Sequence, residues 1–311
     1  MWRPEHVVVL GAGAMGSLSG GVLTEGGLRV TLVDVWREHV DAINRNGLGI
    51  LGHGGDRRIK IRATTDPSSV EPADVVLVQC KAFHTVAALE TAPYIGSETA
   101  VISLQNGLGN EEAIAEVIGT EKVLGGVTAL GCSIVEPGVI RTFADLPTYI
   151  GELGGGLSER AERIAAAFTR ACFQTVASPD IRRDIWKKLM ANVAVSPTSA
   201  VTGLTLGDAL KVEGMREVMV AALTEAASIA EAEGINLTLE QARAVFEQIT
   251  GAGGTLGNKS SMCVDLLNKR PCEIDVINGA ITRLGRTHGI ATPVNDTLVA
   301  AVKGRESAYL G

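Results

Sequence analysis

The strongest constraint on what this chain can become is a glycine pattern in a particular place. Gly11-Ala12-Gly13-Ala14-Met15-Gly16 directly follows the β-branched run His6 to Leu10 and opens a helical stretch that ends near Gly26-Gly27. A strand that turns through Gly-x-Gly-x-x-Gly into a helix is the opening of a dinucleotide-binding βαβ unit. Gly11 permits the tight turn, Gly13 lets the backbone approach a pyrophosphate, and Gly16 allows close helix–strand packing, while the helix N-terminus offers N–H groups and positive dipole to the phosphates. Gly11, Ala12, Gly13, Ala14, Met15 and Gly16 are therefore the candidate phosphate cradle. Further runs at Val30 to Val33, Asp74 to Cys80, Ala100 to Ser103 and Val123 to Val127 alternate with helical stretches, which predicts a doubly wound parallel α/β sheet.

The second strand ends in an acid, Asp34. A carboxylate there accepts hydrogen bonds from the adenosine ribose hydroxyls and repels a 2′-phosphate, so it favours NAD(H) over NADP(H). The alternative is a solvated strand end or an N-cap for the helix near His39, and Arg37 lies close by.

The rest of the chain changes character. Glu136-Pro137-Gly138 marks a turn between two short runs, and with Thr148 to Ile150 it predicts a hairpin-rich edge closing the first domain. Gly151 to Gly156 reads as a loop into a helix capped at Ser158. After Ser178-Pro179-Asp180 helical periodicity takes over, as in Ile274, Ile277, Ile281 and Leu284, a helix with a stop at Gly289 followed by Pro293. A chain of 311 residues exceeds what one core usually supports. The expected division is a Rossmann domain over residues 1–180 and an all-helical domain over residues 181–311.

With 35 acidic against 28 basic residues, a net charge of −7 argues against nucleic acid or an anionic membrane surface as partner. Cys80, Cys132, Cys172, Cys263 and Cys272 are scattered and form no C-x-x-C pair, which fits reduced thiols in a cytoplasmic protein without a zinc site. The five histidines show no ligand-like spacing, so no metal is expected. The apolar run Val7 to Leu10 is too short for a signal segment, and Val218 to Ala232 carries Glu225 and Glu231, so no membrane span is expected.

Candidate catalytic groups gather in the second half. Lys188 and Asn192 are four residues apart and share one helical face, where an ammonium and an amide could converge on a carbonyl; the same spacing also describes an ordinary exposed helix face. Hydride delivery to a ketone builds an alkoxide that needs a proton, and a desolvated lysine is a reasonable donor. Asn258 to Met262, after the flexible Gly251 to Gly254 stretch, could present an amide and hydroxyls to a carboxylate, or could cap a helix through Ser260 or Asn258. Glu273 is placed at the start of the amphipathic helix, where the dipole alone favours an acid. Lys81 and Asn106-Gly107 follow strands where open sheets bind ligands, although Asn-Gly is also a common turn.

Taken in order, Gly11 to Gly16, Lys81, Gln105 to Gly109, Trp186-Lys187-Lys188 with Asn192, Asn258 with Ser260-Ser261-Met262, and Glu273-Ile274-Asp275 make the chain resemble the ketopantoate reductases over nearly its whole length. The resemblance implies reduction of 2-dehydropantoate to pantoate, a step of pantothenate biosynthesis, at a site between a Rossmann and a helical domain. It implies Lys188 as proton donor, Glu273 near the nicotinamide end, Asn192 and Ser261 as substrate ligands, and Lys81, Asn106 and Cys132 as cofactor contacts. Two family asparagines that touch substrate are replaced here, at Ser196-Pro197 and Leu206-Gly207, which leaves Ser196 as the shorter polar group and predicts an apolar wall at Leu206. Val35 stands where NADP-using members have an arginine. The expected partner is a small 2-keto acid, with a homodimer left open. Two alternatives remain: a paralogue acting on another 2- or 3-hydroxy acid, and a non-catalytic NAD(H)-sensing module, against which the retained Lys188, Asn192 and Glu273 speak.

Overall fold

The computed structural model describes residues 4–144, 146–251 and 256–310, so Ala252 to Gly254 of the glycine-rich stretch lie outside the described residues. Packing divides the chain into two units, one comprising the chain to Gln105 with Asn110–Ile181, the other Asn106–Gly109 with the chain from Arg182 onward.

The first unit contains, in order, β1 (His6–Leu10), α1 (Ala14–Glu25), β2 (Arg29–Val33), α2 (Arg37–Asn46), β3 (Leu48–Gly52), β4 (Arg57–Ile59), β5 (Arg62–Thr64), β6 (Val75–Val78), α3 (Thr85–Glu90) and β7 (Ala100–Ser103). It continues with α4 (Asn110–Ile118), β8 (Val123–Thr128), β9 (Gly131–Glu136), β10 (Val139–Ala144), β11 (Thr148–Gly151), α5 (Glu159–Arg170) and β12 (Thr175–Ala177). The main sheet has the order β12-β11-β8-β7-β6-β1-β2-β5. From β5 to β8 its strands pair in parallel, and β11 joins antiparallel to β8. β1, β6 and β7 are buried at every position, as expected of central parallel strands covered on both faces.

The predicted hairpin forms, but not at the edge of this sheet. β9 and β10 pair antiparallel and belong to a separate sheet of order β4-β3-β10-β9. α1 runs between the two sheets: a Cβ on Gly20 would lie 2.5 Å from Leu32 of β2, and one on Gly21 would lie 2.9 Å from Ile50 of β3. Bare backbone on two sides of one helix lets both sheets close on it, and a single core joins Val7 and Leu32 to Leu48, Ile50 and Ile140.

The second unit holds α6 (Ile181–Thr202), α7 (Leu206–Ala209), α8 (Met215–Ala232), α9 (Leu239–Thr250), α10 (Ser261–Leu267), α11 (Asn278–His288) and α12 (Pro293–Leu310), with no strand among its described residues. Trp186, Met190, Met219, Leu223, Phe246 and Ile281 form its core. α9 starts with a reciprocal capping box between Thr238 and Gln241, and α11 closes on left-handed Gly289, φ 67°. The helix expected to begin at Glu273 begins instead at Asn278. Ile277 leaves helical dihedrals at φ −98°, ψ −95°, and the Val276 carbonyl accepts the Leu108 N–H at 2.8 Å. Ile274 and Ile277 are nevertheless buried, so the apolar spacing reflects a turn packed into the core ahead of the helix. Among the described residues no helix is long and apolar enough to cross a membrane.

Candidate active site

In the first unit the glycine turn sits at the carboxyl end of β1. Gly11 has φ 99°, and a Cβ there would lie 2.3 Å from the Cys80 backbone nitrogen; one on Gly16 would lie 1.9 Å from the Gly11 carbonyl oxygen. Only glycine permits either approach. Nothing lies within 4 Å of the place a Gly13 Cβ would occupy, and Gly13 is the N-cap of α1 without any side-chain cap. The first turn of a twelve-residue helix thus begins beside open space with no side chain capping its N–H groups, the chemistry a pyrophosphate needs.

Asp34 supports this turn directly. Its carboxylate accepts the Ala12 N–H at 2.6 Å and the Trp36 N–H at 2.8 Å, while Trp36, not Asp34, is the N-cap of α2. A polar relay continues beneath. The Ser17 hydroxyl donates to the Ala12 carbonyl at 2.8 Å, and His39 Nε2 lies 3.0 Å from the Ser17 Oγ. Gly138 N–H donates to His39 Nδ1 at 3.0 Å, which assigns the proton to Nε2. Burial of His39 lowers its pKa, against the raising effect of Asp34, so the ring is neutral. Composition gives no sign of this histidine, because its role depends on the Gly138 turn between β9 and β10 packing against α2.

Gln79, missed in sequence, and Gln105, read there only as part of a motif, lie at the carboxyl ends of neighbouring strands. Gln79 donates to the Ser19 Oγ at 2.8 Å, and Gln105 donates to the Cys80 carbonyl and the Thr85 Oγ1, each at 2.8 Å. Both leave a buried amide oxygen without a partner, the kind of acceptor that a bound polar ligand satisfies. The open glycine turn, the uncapped helix and these two acceptors fit a nicotinamide dinucleotide. Lys81 is half-buried just beyond β6 in the same unit. Asn106, expected beside it, packs with Gly107 to Gly109 into the second unit. Cys132 is half-buried on β9 of the second sheet, against the core beneath α1, and burial pushes its thiol up to about 12. Among the described residues no three of His, Cys, Asp and Glu cluster to hold a metal ion.

In the second unit Lys188, Asn192 and Ser196 follow one another at four-residue steps along α6. Withdrawal of the Lys188 ammonium from water lowers its pKa to about 8, partly opposed by the negative charge of Glu273. Glu273 is only 8 % exposed and sits in the turn before α11. That turn is held by residues from the other half of the sequence: a Cβ on Gly107, φ 90°, would lie 2.3 Å from the Val276 carbonyl oxygen. Ser196 is buried, its carbonyl accepting the Ser260 hydroxyl at 3.1 Å, while Ser260 caps α10 through Cys263 N–H. Ser260 is therefore the cap, and Asn258 and Ser261 are exposed on either side of it. Leu206 does not form the expected apolar wall. At 1 % exposure it belongs to the core, its N–H donating to the Asn258 carbonyl at 3.0 Å.

Comparison with known proteins accounts for both units. The family model described as ketopantoate reductase PanE/ApbA matches residues 7–155, and the model for the C terminal of the same family matches residues 180–306. The chain is 35% identical over 302 residues to the 2-dehydropantoate 2-reductase of Halobacterium salinarum, covering 96% of this chain and 98% of that protein. It is 34% identical to the Pyrococcus horikoshii enzyme of the same name, over 97% of each. Among solved structures, D-mandelate dehydrogenase with NADH and anilino(oxo)acetate superimposes with a TM-score of 0.93 at 27% identity, over 98% of this chain and 99% of that one. The PanE/ApbA family ketopantoate reductase from Ralstonia eutropha JMP134 superimposes with a TM-score of 0.90 at 31% identity, over 98% of this chain and 100% of that one.

Proposed function

The chain belongs to the ketopantoate reductase family, and on that footing we propose that it reduces 2-dehydropantoate to pantoate with a nicotinamide dinucleotide as hydride donor. The observation that carries the chemistry is the Lys188 amine, lowered to about 8 by desolvation with the Glu273 charge opposing the shift. Such an amine is mostly protonated at neutral pH yet releases its proton far more readily than an exposed lysine. A nicotinamide dinucleotide bound at the glycine turn would supply the hydride that the keto carbon accepts. The carbonyl π electrons then move onto oxygen, Lys188 Nζ transfers a proton to that oxygen, and the neutral amine regains a proton from water. Glu273 favours the ammonium before transfer, while Asn192 on the same face of α6 and Ser261 at the start of α10 are assigned to holding the substrate. Ser196, four residues beyond Asn192 on α6, is buried, and its carbonyl accepts the hydroxyl of the capping Ser260.

NAD(H) is the favoured cofactor form. Val35, 93% exposed, offers no cation to a 2′-phosphate, and Asp34 beside the glycine turn repels one. The five cysteines form no disulfide among the described residues, which fits the reducing cytoplasm.

A second reading, a 2-keto acid with a less polar substituent, is favoured by the likeness to D-mandelate dehydrogenase. Initial rates of NADH and NADPH oxidation with 2-dehydropantoate, 2-ketoisovalerate and phenylglyoxylate decide between the two. The primary reading expects the highest kcat/KM with 2-dehydropantoate; a higher value for either apolar acid replaces it with the second.

A further inference from the structure

α6 carries a proline in its interior, Pro197. Proline has no N–H to give the carbonyl four residues back, and its ring crowds that carbonyl. The deprived group is the carbonyl of Val193, a buried residue directly after Asn192 and five residues after Lys188. It finds its donor in another helix: Asn278 Nδ2 donates to Val193 O at 2.9 Å.

Asn278 is fully buried at the first position of α11. Its second amide hydrogen goes to Asn295 Oδ1 at 2.8 Å. Asn295, also fully buried, donates to the Ala222 carbonyl at 3.0 Å and to Glu225 at 2.7 Å. Glu225 in turn accepts the Val294 and Asn295 N–H groups, each at 2.9 Å, at the start of α12. The donor sense of this chain is fixed, because the Val193 carbonyl can only accept. Both hydrogens of the Asn278 amide are engaged, and its own oxygen is left without a partner. A hydrogen bond that an unbroken helix makes internally has become a tertiary one. The course of α6 therefore depends on where α11 begins, five residues after Glu273.

We propose that Asn278, standing in for the amide hydrogen that Pro197 lacks, is a positioning residue that holds the Lys188 stretch of α6 in register with the Glu273 turn. The inference rests on Lys188 as the proton donor. Asn278 and Asn295 act through the helix that carries Lys188, not on the reacting atoms.

The test is Asn278→Ala in the natural chain and in a Pro197→Ala background, where residue 197 regains an N–H for Val193 O. In the natural chain kcat should fall by roughly tenfold or more, since displacements near 1 Å at a reacting group have costs of that order. The dinucleotide KM should stay within about twofold, because the interaction is absent from the cofactor turn. The alkaline limb of the kcat profile should move to higher pH as water reaches the ammonium. In the Pro197→Ala background the losses in kcat and in melting temperature should each shrink by about half or more, the signature of two groups serving one carbonyl. If Asn278→Ala alone does not fold, recovery of folded protein in the double variant is the same coupling read by yield. Equal losses in both backgrounds, or a lowered melting temperature with an unmoved pH profile, overturn the proposal. Lys188→Ala with near-normal kcat would remove the proton-donor reading instead, while the coupling between positions 278 and 197 in melting temperature would still report on the brace.

Discussion

If Lys188 delivers the proton, its ionisation must be visible in both directions of the reaction, with opposite sign. The fall from the ordinary lysine value of 10.5 to about 8 corresponds, at about 1.4 kcal/mol per pH unit, to roughly 3 kcal/mol against the charged form. An amine at about 8 is about ten parts protonated to one neutral at pH 7, and about one to ten at pH 9. Keto-acid reduction needs the ammonium, so kcat should hold below pH 8 and drop about tenfold per unit well above it. Oxidation of the hydroxy acid needs the neutral amine, so its kcat should rise through the same pH and level off. Glu273→Gln removes the charge that stabilises the ammonium, and both limbs should move to lower pH. Lys188→Ala should cost on the order of 10² to 10⁴ in kcat. Its dinucleotide affinity should persist, since the glycine turn belongs to the other unit. Stopped-flow or initial-rate profiles from pH 6 to 10 in both directions, with fluorescence titration of NADH, measure all of this. A limb near the ordinary lysine value, a limb indifferent to Glu273→Gln, or a Lys188→Ala enzyme of near-normal kcat would exclude Lys188 as the proton donor.

Asp34→Ala with Val35→Arg should shift the ratio of kcat/KM values toward NADPH by removing a repulsive carboxylate and adding a cation; a natural enzyme that already prefers NADPH would contradict the assignment and point to Arg37. His39 is buried and neutral with a lowered pKa, so below its unfolded value near 6.5 the unfolded chain binds a proton that the folded one refuses. Stability should therefore be lost as pH falls from 7 to 5, by at most about 1.4 kcal/mol per unit from this group. Glu111, raised by burial to about 7, works with the opposite sign, gaining stability as pH falls. The contribution of His39 is accordingly the difference between the natural chain and His39→Gln, and identical pH slopes for the two in urea unfolding would rule it out.

Much of the architecture was legible in order along the chain. The glycine turn, five central strands and the helical second half follow from local rules of periodicity and sterics that act over a few residues, and these need no knowledge of partners. Lys188 and Asn192 share a helix face for the same reason. What the sequence could not reveal depends on groups far apart in it. β3, β4 and β5 are short and rich in glycine and arginine, and they become strands only because neighbours complete their hydrogen bonds. The β9–β10 hairpin was readable as a hairpin, but its place beside β3 rather than at the sheet edge was set by the glycines of α1 that let a second sheet approach. Leu206 looked like a pocket wall because its position in a motif says nothing about which way it packs, and the core claimed it. The lowered pKa of Lys188, the neutral His39 and the brace from Asn278 to the carbonyl that Pro197 leaves without its donor all arise from burial and from contacts as much as 99 residues apart, and so belong to the tertiary structure alone.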